Sequence, residues 1–431
     1  MLKALLFFQL MFVVNQIHFP WGVGVPGLVP TNIIFVLILL LMRGKEDFVE
    51  LEEPPILHTP LLIFFGSLTL AFLWAQLTAS RDFIDDLTYL KNACFYPLYY
   101  WMYRRCKVDE KTTRWLIIFV LVVAAVAGVE AIREGFDYGF GKYNPFRRAS
   151  GPFGDNWRQA NRAGVFYGMF TPMFVALVLF LKGRKWWRMA AIAGTIILIG
   201  GALFTYSRQS YIIILFAIAL LVFRKSIVLA VVLGVILASS IGFLPDSVTQ
   251  RVEETKQEDA NGEEAVDVST QSRWEIWEGA MGMLKEHPLG VGLHRFQQNI
   301  GNYSKYKHMD AHNYYVLTIA ECGPQGEIAL IILLVAMVRL GKFVRKRTSP
   351  DDPERLALGL GFSVMTICVM LGQIYGSPFL EGAVMGPYWA LCGLLERYVQ
   401  FKKSGDGDEA KEPRRATLVE KFPLAVHLGQ R

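Results

Sequence analysis

Three polar residues stand where apolar sequence begins or ends, and their side chains suit one kind of chemistry. Arg208 interrupts a long apolar run, Arg273 precedes an aromatic stretch, and His312 introduces a further apolar run. A guanidinium group matches phosphate oxygens in a two-point fashion, so two arginines together suit a pyrophosphate. An imidazole titrates near neutral pH and can take a proton from an attacking hydroxyl. The three side chains would therefore suit displacement at a diphosphate, on condition that they meet.

Each of these side chains also has a purely structural interpretation. An arginine at the edge of the hydrocarbon can reach the headgroup level or form an ion pair within the protein. A lone histidine is more often structural than catalytic. The residues alone leave both interpretations open.

The sequence contains no motif of several other enzyme classes. There is no Walker A loop, no HExxH and no GxSxG, and the glycine-rich stretch 287–294 follows no strand. The five cysteines are an odd number without CxxC spacing, and no set of His, Cys and carboxylate residues has metal-ligand spacing. We therefore expect no disulfide, no metal and no cofactor.

The composition is that of a membrane protein. Of the 431 residues, 53% are hydrophobic and 19% are charged, which is typical of a lipid-embedded bundle rather than of several soluble domains. The net charge of +6 comes from short Lys and Arg clusters between apolar runs, where such clusters orient membrane proteins. Nucleic acid is therefore not an expected partner, and the fold class is predicted to be an all-α integral membrane protein.

Apolar runs long enough to cross a bilayer recur along the chain. About 20 mostly apolar residues span roughly 30 Å of hydrocarbon, and by this measure we expect about twelve transmembrane helices. They form one domain, 1–402, followed by a polar cytoplasmic tail, 403–431. The first run is expected to be a retained span, because no small-residue cleavage site follows it. The candidates lie at about 2–18, 27–43, 57–78, 86–103, 114–134, 162–182, 188–206, 209–223, 226–244, 313–341, 357–376 and 382–400.

Short basic loops predict the orientation. The positive-inside rule assigns such loops to the cytoplasm, and here they alternate correctly with the proposed spans. Both termini are then cytoplasmic, whereas Arg208 and the long loop 245–311, between spans nine and ten, face the outer side of the membrane. The basic loops are 104–107, 182–185, 224–225 and 342–347.

The long loop carries a segment with helical periodicity. Trp274, Trp277, Met281 and Leu284 recur at intervals of three or four residues within 272–284. Because tryptophan prefers the headgroup level, we expect this helix to lie along the membrane surface. Pro324 breaks the span that follows and is expected to bend it, aiming its outer half inward.

Two arginine segments in the C-terminal half resemble those of a known family. Ser207-Arg208 follows an apolar span, and Ser272-Arg273-Trp274 is followed by Glu275-Ile276-Trp277. Both segments are similar to the arginine signatures of the bacterial O-antigen ligase and O-antigen or exopolysaccharide polymerase superfamily.

Two further motifs of that superfamily follow in the same order. His287-Pro288-Leu289-Gly290-Val291-Gly292 resembles its HPxxGxG turn. His312-Asn313, nine residues, Gly323, two residues and Gly326 resemble the HNx9GxxG pattern associated with ligases. The resemblance extends over about 200–330 and is only general in the N-terminal half.

The resemblance implies a glycosyltransferase in the bacterial inner membrane. Such an enzyme takes a glycan from undecaprenyl diphosphate and joins it to an acceptor hydroxyl at the periplasmic face, without a metal or cofactor. In a ligase the acceptor is the lipid A-core. Arg208 and Arg273 are then expected to bind the diphosphate and neutralise its charge, and His312 to act as the general base of an inverting transfer. Ser207, Asn313 and Tyr314 are the further substrate-binding candidates.

Three alternatives stay open. A polymerase of the same superfamily would extend O-antigen, capsule or exopolysaccharide repeats. A protein O-oligosaccharyltransferase would use a serine or threonine acceptor. A transporter or flippase would also have about twelve spans, but it should carry charged residues near the middle of its spans.

Overall fold

Helices make up almost all of the regular structure in the computed structural model, which describes residues 1–14, 29–78, 82–139, 143–154, 159–240, 256–258, 264–266, 268–348 and 351–401. A short antiparallel hairpin pairs β1 (Lys256–Glu258) with β2 (Glu264–Val266). The helices in chain order are α1 (Leu2–Val14), α2 (Pro30–Met42), α3 (His58–Thr78), α4 (Phe83–Phe95), α5 (Leu98–Arg104), α6 (Glu110–Asp137), α7 (Ala160–Phe180), α8 (Lys185–Phe204), α9 (Arg208–Lys225), α10 (Ile227–Ser240), α11 (Val268–Glu286), α12 (Phe296–Asn299), α13 (Tyr314–Lys346), α14 (Pro353–Gly372) and α15 (Gly382–Tyr398).

Where the predicted spans fall on described residues, those residues are largely helical. The run predicted at 86–103 is two helices, α4 and α5, because Pro97 interrupts it. Within the described residues, five helices are long and apolar enough to cross a membrane, namely α3, α6, α7, α8 and α14, and shorter apolar helices lie at Leu2–Val14, Pro30–Met42 and Ile227–Ile236. An all-helical chain with several apolar helices is thus confirmed, whereas the number of about twelve spans stays a prediction. The predicted tail 403–431 lies outside the described residues.

Helix α7 lies at the centre of the bundle and packs against α8, α9 and α14. Its residues from Ala163 to Ala176 are all buried. Small residues let the neighbouring backbones approach closely. A Cβ at Gly164 would stand 2.9 Å from the Cβ of Ser207, and one at Gly361 would stand 2.9 Å from the Cα of Met173. The start of α9 and the middle of α14 are therefore held directly against α7.

Hydrogen bonds and ion pairs bring three of the four predicted basic loops to one end of the bundle. Arg104 donates to the carbonyl oxygen of Glu53, and Arg347 pairs with the Glu53 carboxylate at 2.9 Å. Arg114 and Arg184 share the carboxylate of Glu354. These contacts join the ends of α5 and α13, and the starts of α6, α8 and α14.

The same end holds the remaining basic loop. Arg355 pairs with Glu110 at 2.6 Å, and the Lys225 ammonium lies 5.1 Å from the centre of the Phe180 ring. We call this end, with the loops 104–107, 182–185, 224–225 and 342–347, the basic face. Because α7, α9 and α13 all end there, they begin at the opposite face. The predicted alternation of the basic loops is consistent with this arrangement, and the assignment of the basic face to the cytoplasm stays a prediction.

Helix α11 contains the predicted surface segment 272–284. Its buried side chains are Ile276, Ala280 and Met283, which recur at helical spacing and face the protein. Trp274 on another face is 51% exposed. Trp277 is partly buried and donates from Nε1 to the carbonyl oxygen of Ala311 at 2.8 Å. The helix therefore packs on the chain just before His312, and contact with the membrane stays a prediction.

Candidate active site

A cavity of about 580 Å3 lies at the face opposite the basic face. Its wall comes from α4, from the starts of α7, α9 and α13, from the segments 294–297 and 310–312, and from 375–381. Arg162, His312 and Glu381 are among the charged and titratable residues in this wall. The size suits a small oligosaccharide or the headgroup of a lipid rather than a single ion.

His312 is held in the cavity wall by the chain on both sides. Asn313 caps α13, because its side-chain oxygen accepts from the backbone N–H groups of Tyr315 at 2.9 Å and Val316 at 3.2 Å. On the other side, Ala311 accepts the hydrogen bond from Trp277. His312 itself has a φ of 49°, in the left-handed region that is uncommon for residues other than glycine. The contacts of Ala311 and Asn313 hold the backbone on both sides of His312, whose imidazole is half-buried.

The environment of His312 favours the neutral imidazole. Burial lowers the pKa of His312, the Asp310 carboxylate raises it, and the positive charges of Arg273 and Arg162 lower it further. The net shift is downward. A neutral imidazole can accept a proton, which a general base must do.

Arg273 lies beside the same cavity. Its guanidinium carbon is 5.5 Å from the centre of the Tyr375 ring, a cation–π distance, and Tyr375 lines the cavity. Its charge also reaches His312, as the lowered pKa of that residue indicates. The structure thus places Arg273 near His312 and next to the cavity. Arg273 is not among the described lining residues, and its contact with a diphosphate stays a prediction.

Arg208 is the first residue of α9 and is partly buried. The next residue, Gln209, lines the cavity and donates from its amide nitrogen to the carbonyl oxygens of Leu371 at 3.2 Å and Gly372 at 2.9 Å. Among the described lining residues, Gln209 is present and Arg208 is not. The structure therefore places Arg208 next to the cavity wall, and its contact with a diphosphate stays a prediction.

The three other predicted substrate-binding residues have structural contacts. Ser207 is 2% exposed and lies against Gly164. Asn313 caps α13, and Tyr314 is 3% exposed with its ring 5.2 Å from that of Phe379. None of the three is among the described residues that line the cavity. Direct substrate contacts of these residues stay predictions.

The predicted bend in α13 is present, and it explains two of the sequence motifs. Gly323 has a φ of 69° and departs from helical geometry just before Pro324. Pro324 has no N–H group for the carbonyl oxygen of Ala320, and that oxygen accepts from the backbone of Val291 at 2.9 Å instead. Gly292 donates in the same way to the carbonyl oxygen of Glu321 at 2.9 Å.

Glycine is required on both sides of this contact. A Cβ at Gly290 would stand 2.5 Å from the Glu321 carbonyl oxygen, and one at Gly323 would stand 2.7 Å from that of Leu289. Both glycines also have positive φ angles. The HPxxGxG and GxxG motifs therefore form one interlocked joint, defined here by residues 289–292 and 320–325.

This joint, the two arginine segments and His312-Asn313 occupy one continuous part of the chain. Residues 193–331 match the O-antigen ligase family model. The match begins within α8 and ends within α13, so it includes Arg208, Arg273 and His312. Enzymes of this family transfer glycans from lipid-linked donors. The resemblance predicted from the motifs is confirmed for this segment, and no curated protein matches the chain significantly.

Two further charged residues of the cavity lie outside the O-antigen ligase segment. Arg162, near the start of α7, pairs with Glu381, just before α15, at 2.7 Å. Burial raises the pKa of Glu381, the charge of Arg162 lowers it and that of Asp310 raises it, with a net upward shift. Neither residue was predicted from the sequence to be a site residue. The available signal was their position, because each is a charge next to an apolar span.

A buried ion pair supports another part of the wall. Asp86 accepts from Arg295 at 2.8 Å and 2.6 Å, and both side chains are fully buried. His294, which lines the cavity, approaches Asp86 with Nδ1 at 3.0 Å. Asp86 also lies outside the O-antigen ligase segment. In the sequence, only its position indicated a role, because Asp86 is a carboxylate at the first position of a predicted span.

Proposed function

We propose that this protein is an O-antigen ligase of the bacterial inner membrane. It transfers a glycan from undecaprenyl diphosphate to a hydroxyl of the lipid A-core at the periplasmic face. The observation that carries the proposal is the cavity at His312, where an imidazole of lowered pKa lies near Arg273 within the segment that matches the family. The HNx9GxxG pattern favours the ligase over a polymerase.

The proposed step is an inverting displacement. The acceptor oxygen forms a bond to the anomeric carbon while the bond from that carbon to the diphosphate oxygen breaks. The acceptor proton passes to the neutral His312 imidazole, and undecaprenyl diphosphate leaves with the bonding electron pair. Fixed guanidinium groups stabilise the negative charge that grows on the diphosphate, which is the role of Arg273 and Arg208. These cations replace a metal ion, so transfer is metal-independent.

The arrangement of the bundle suits a lipid-borne donor. If the basic face is cytoplasmic, the cavity at the opposite face opens toward the periplasm. The polyprenyl chain then stays in the hydrocarbon while its diphosphate reaches the aqueous cavity. Exposed apolar side chains cover the outside of the helices, for example Ile328 and Ile331 on α13.

The direct test is transfer by the purified protein in detergent with a lipid-linked donor and a lipid A-core acceptor. His312→Asn and Arg273→Ala should each lower the rate by at least about 100-fold while the protein still folds. His308→Asn is the matched control, since His308 is exposed and also has a left-handed φ, 58°. EDTA should leave the wild-type rate unchanged. Wild-type turnover by His312→Asn would remove the base from the mechanism.

A deletion strain separates the ligase from its alternatives. Loss of a ligase leaves complete polymer on its lipid carrier, whereas loss of a polymerase leaves single repeats. Transfer by the purified protein in detergent, where no second compartment exists, would exclude a transporter as the explanation. Product on a serine or threonine side chain would instead indicate a protein O-oligosaccharyltransferase.

A further inference from the structure

A stacked pair of aromatic side chains forms part of the cavity wall. The rings of Tyr89 on α4 and His294 are 4.5 Å apart and nearly parallel, at 13°. Both residues line the cavity. His294 lies two residues after the 289–292 part of the interlocked joint. Its φ is 62°, an uncommon backbone conformation for a residue other than glycine.

One edge of the His294 ring is fixed by a carboxylate. The Asp86 oxygen that lies 3.0 Å from Nδ1 also accepts from Arg295, and the second Asp86 oxygen accepts from Arg295 and from Gln76 at 2.7 Å. Asp86 paired in this way is an ionised acceptor, so Nδ1 of His294 carries the proton. In the neutral imidazole Nε2 is then an acceptor.

The opposite edge of this ring is available to a ligand. The His294 side chain is 29% exposed and lines the cavity. In the described ranges, no side chain or backbone group forms a hydrogen bond with Nε2. A fixed acceptor at the surface of a cavity suits a hydroxyl donor.

The residues of the cavity wall suit two kinds of ligand. Arg162 lines the cavity and Arg273 lies against Tyr375, and these cations suit a diphosphate. The described lining residues also include the amides Asn92, three residues after Tyr89, and Gln297, three residues after His294, and they include no Lys and no Arg other than Arg162. The neighbouring Arg295 guanidinium is turned into its pair with Asp86. Aromatic rings, amides and an imidazole acceptor are the groups that recognise neutral sugars.

We propose that the Tyr89–His294 pair is the binding subsite for the acceptor sugar, and that His294 Nε2 accepts a hydrogen bond from one of its hydroxyls. This inference rests on the proposed function and deepens it. His312 takes the proton of the attacking hydroxyl, whereas His294 holds a second hydroxyl equally in the ground state and in the transition state. Asp86 is a positioning residue, because it acts on the acceptor only through His294.

The variant His294→Asn isolates the role of Nε2. The amide nitrogen of asparagine can occupy the place of Nδ1 and keep the bond to Asp86, and asparagine tolerates the left-handed backbone. His308→Asn is the matched control, since it makes the same substitution at a similar φ outside the cavity wall. Tyr89→Leu is the second variant, because it removes the aromatic wall and leaves the Asp86–His294 bond intact.

The experiment measures transfer by the purified protein while donor and acceptor concentrations are varied separately. His294→Asn should raise the KM for the lipid A-core acceptor about tenfold, the effect of one lost hydrogen bond at a binding site. Its kcat and its KM for the lipid-linked donor should stay within about twofold of wild type. Tyr89→Leu should raise the same acceptor KM, and His308→Asn should change neither constant.

An unchanged acceptor KM in both His294→Asn and Tyr89→Leu would overturn the inference. An equal rise of both KM values together with a lowered Tm would also overturn it, because it would indicate a merely structural role. Failure of the wild-type protein to transfer glycan to this acceptor is a different result, and it would count against the proposed function itself.

Discussion

The Arg162 guanidinium and the Glu381 carboxylate form an ion pair of 2.7 Å that joins the start of α7 to the start of α15. Both residues line the cavity, and their side chains are 45% and 28% exposed. A partly exposed pair of this kind contributes little to stability. A diphosphate in the cavity would compete with Glu381 for the guanidinium, so Arg162 is available for donor binding.

The first prediction concerns this exchange of partners. Arg162→Gln should raise the KM for the lipid-linked donor about tenfold, since one charge-assisted hydrogen bond to phosphate is lost. The Tm should change little. Glu381→Gln is the matched variant and should leave the donor KM unchanged or lower it, because Arg162 then lacks its competing partner. An unchanged donor KM in Arg162→Gln would show that the pair only orders the two helices.

The second prediction is the pH dependence of kcat/KM. Because burial and the nearby arginines lower the pKa of His312 against the opposing effect of Asp310, the neutral base persists below the ordinary value of about 6.5. Activity should therefore fall only as the pH drops through this lowered pKa. Asp310→Asn removes a charge that raises the pKa, so the acid limb should move to lower pH. Arg162→Gln removes a charge that lowers it, so the limb should move to higher pH. Shifts in the same direction for both variants would contradict this assignment.

The third prediction concerns the interlocked joint. Gly290→Ala and Gly323→Ala should each destabilise the protein by more than about 1 kcal/mol, because the added Cβ meets backbone atoms and φ is positive. Thermal unfolding in detergent measures the effect. Gly66→Ala in α3 is the control, since its added Cβ has no neighbour within 4 Å. That substitution should leave Tm unchanged or raise it. Equal Tm values for all three variants would contradict a tight joint.

The positions of most helices could be predicted from the sequence because each of them coincides with an apolar run. The turn before Arg208 and the bend at Pro324 were also predictable, since a long apolar run cannot be one span and proline removes a backbone donor. The break at Pro97 was missed, because the length of the run 86–103 alone suited a single span.

The cavity wall was only partly predictable. His312 and Arg273 were selected because each has a local motif. Asp86 and Arg295 are 209 residues apart and become partners only through packing, so no local pattern indicates them. Arg162 and Glu381 are also far apart in the sequence and become partners only through packing. The buried face of α11 is formed by Ile276, Ala280 and Met283. It was missed because the predicted face was chosen from the spacing of the two tryptophans.

The fourth prediction tests the orientation of the bundle. A cysteine at Met309, which is 43% exposed near the cavity, should react with a membrane-impermeant maleimide in spheroplasts. A cysteine at the exposed Lys346, on the basic face, should react only after the membrane is permeabilised. Background labelling should be low because four native cysteines are buried and Cys94 is partly buried. Reversed labelling would place the cavity in the cytoplasm.

The position of a bound diphosphate shows whether the cavity at His312 is the active site. A cryo-electron microscopy structure of the protein with undecaprenyl diphosphate should show the diphosphate in the 580 Å3 cavity, within hydrogen-bonding distance of Arg273 and close to His312. Density for the diphosphate on the basic face instead, against the cluster at 182–185, would contradict the proposed active site.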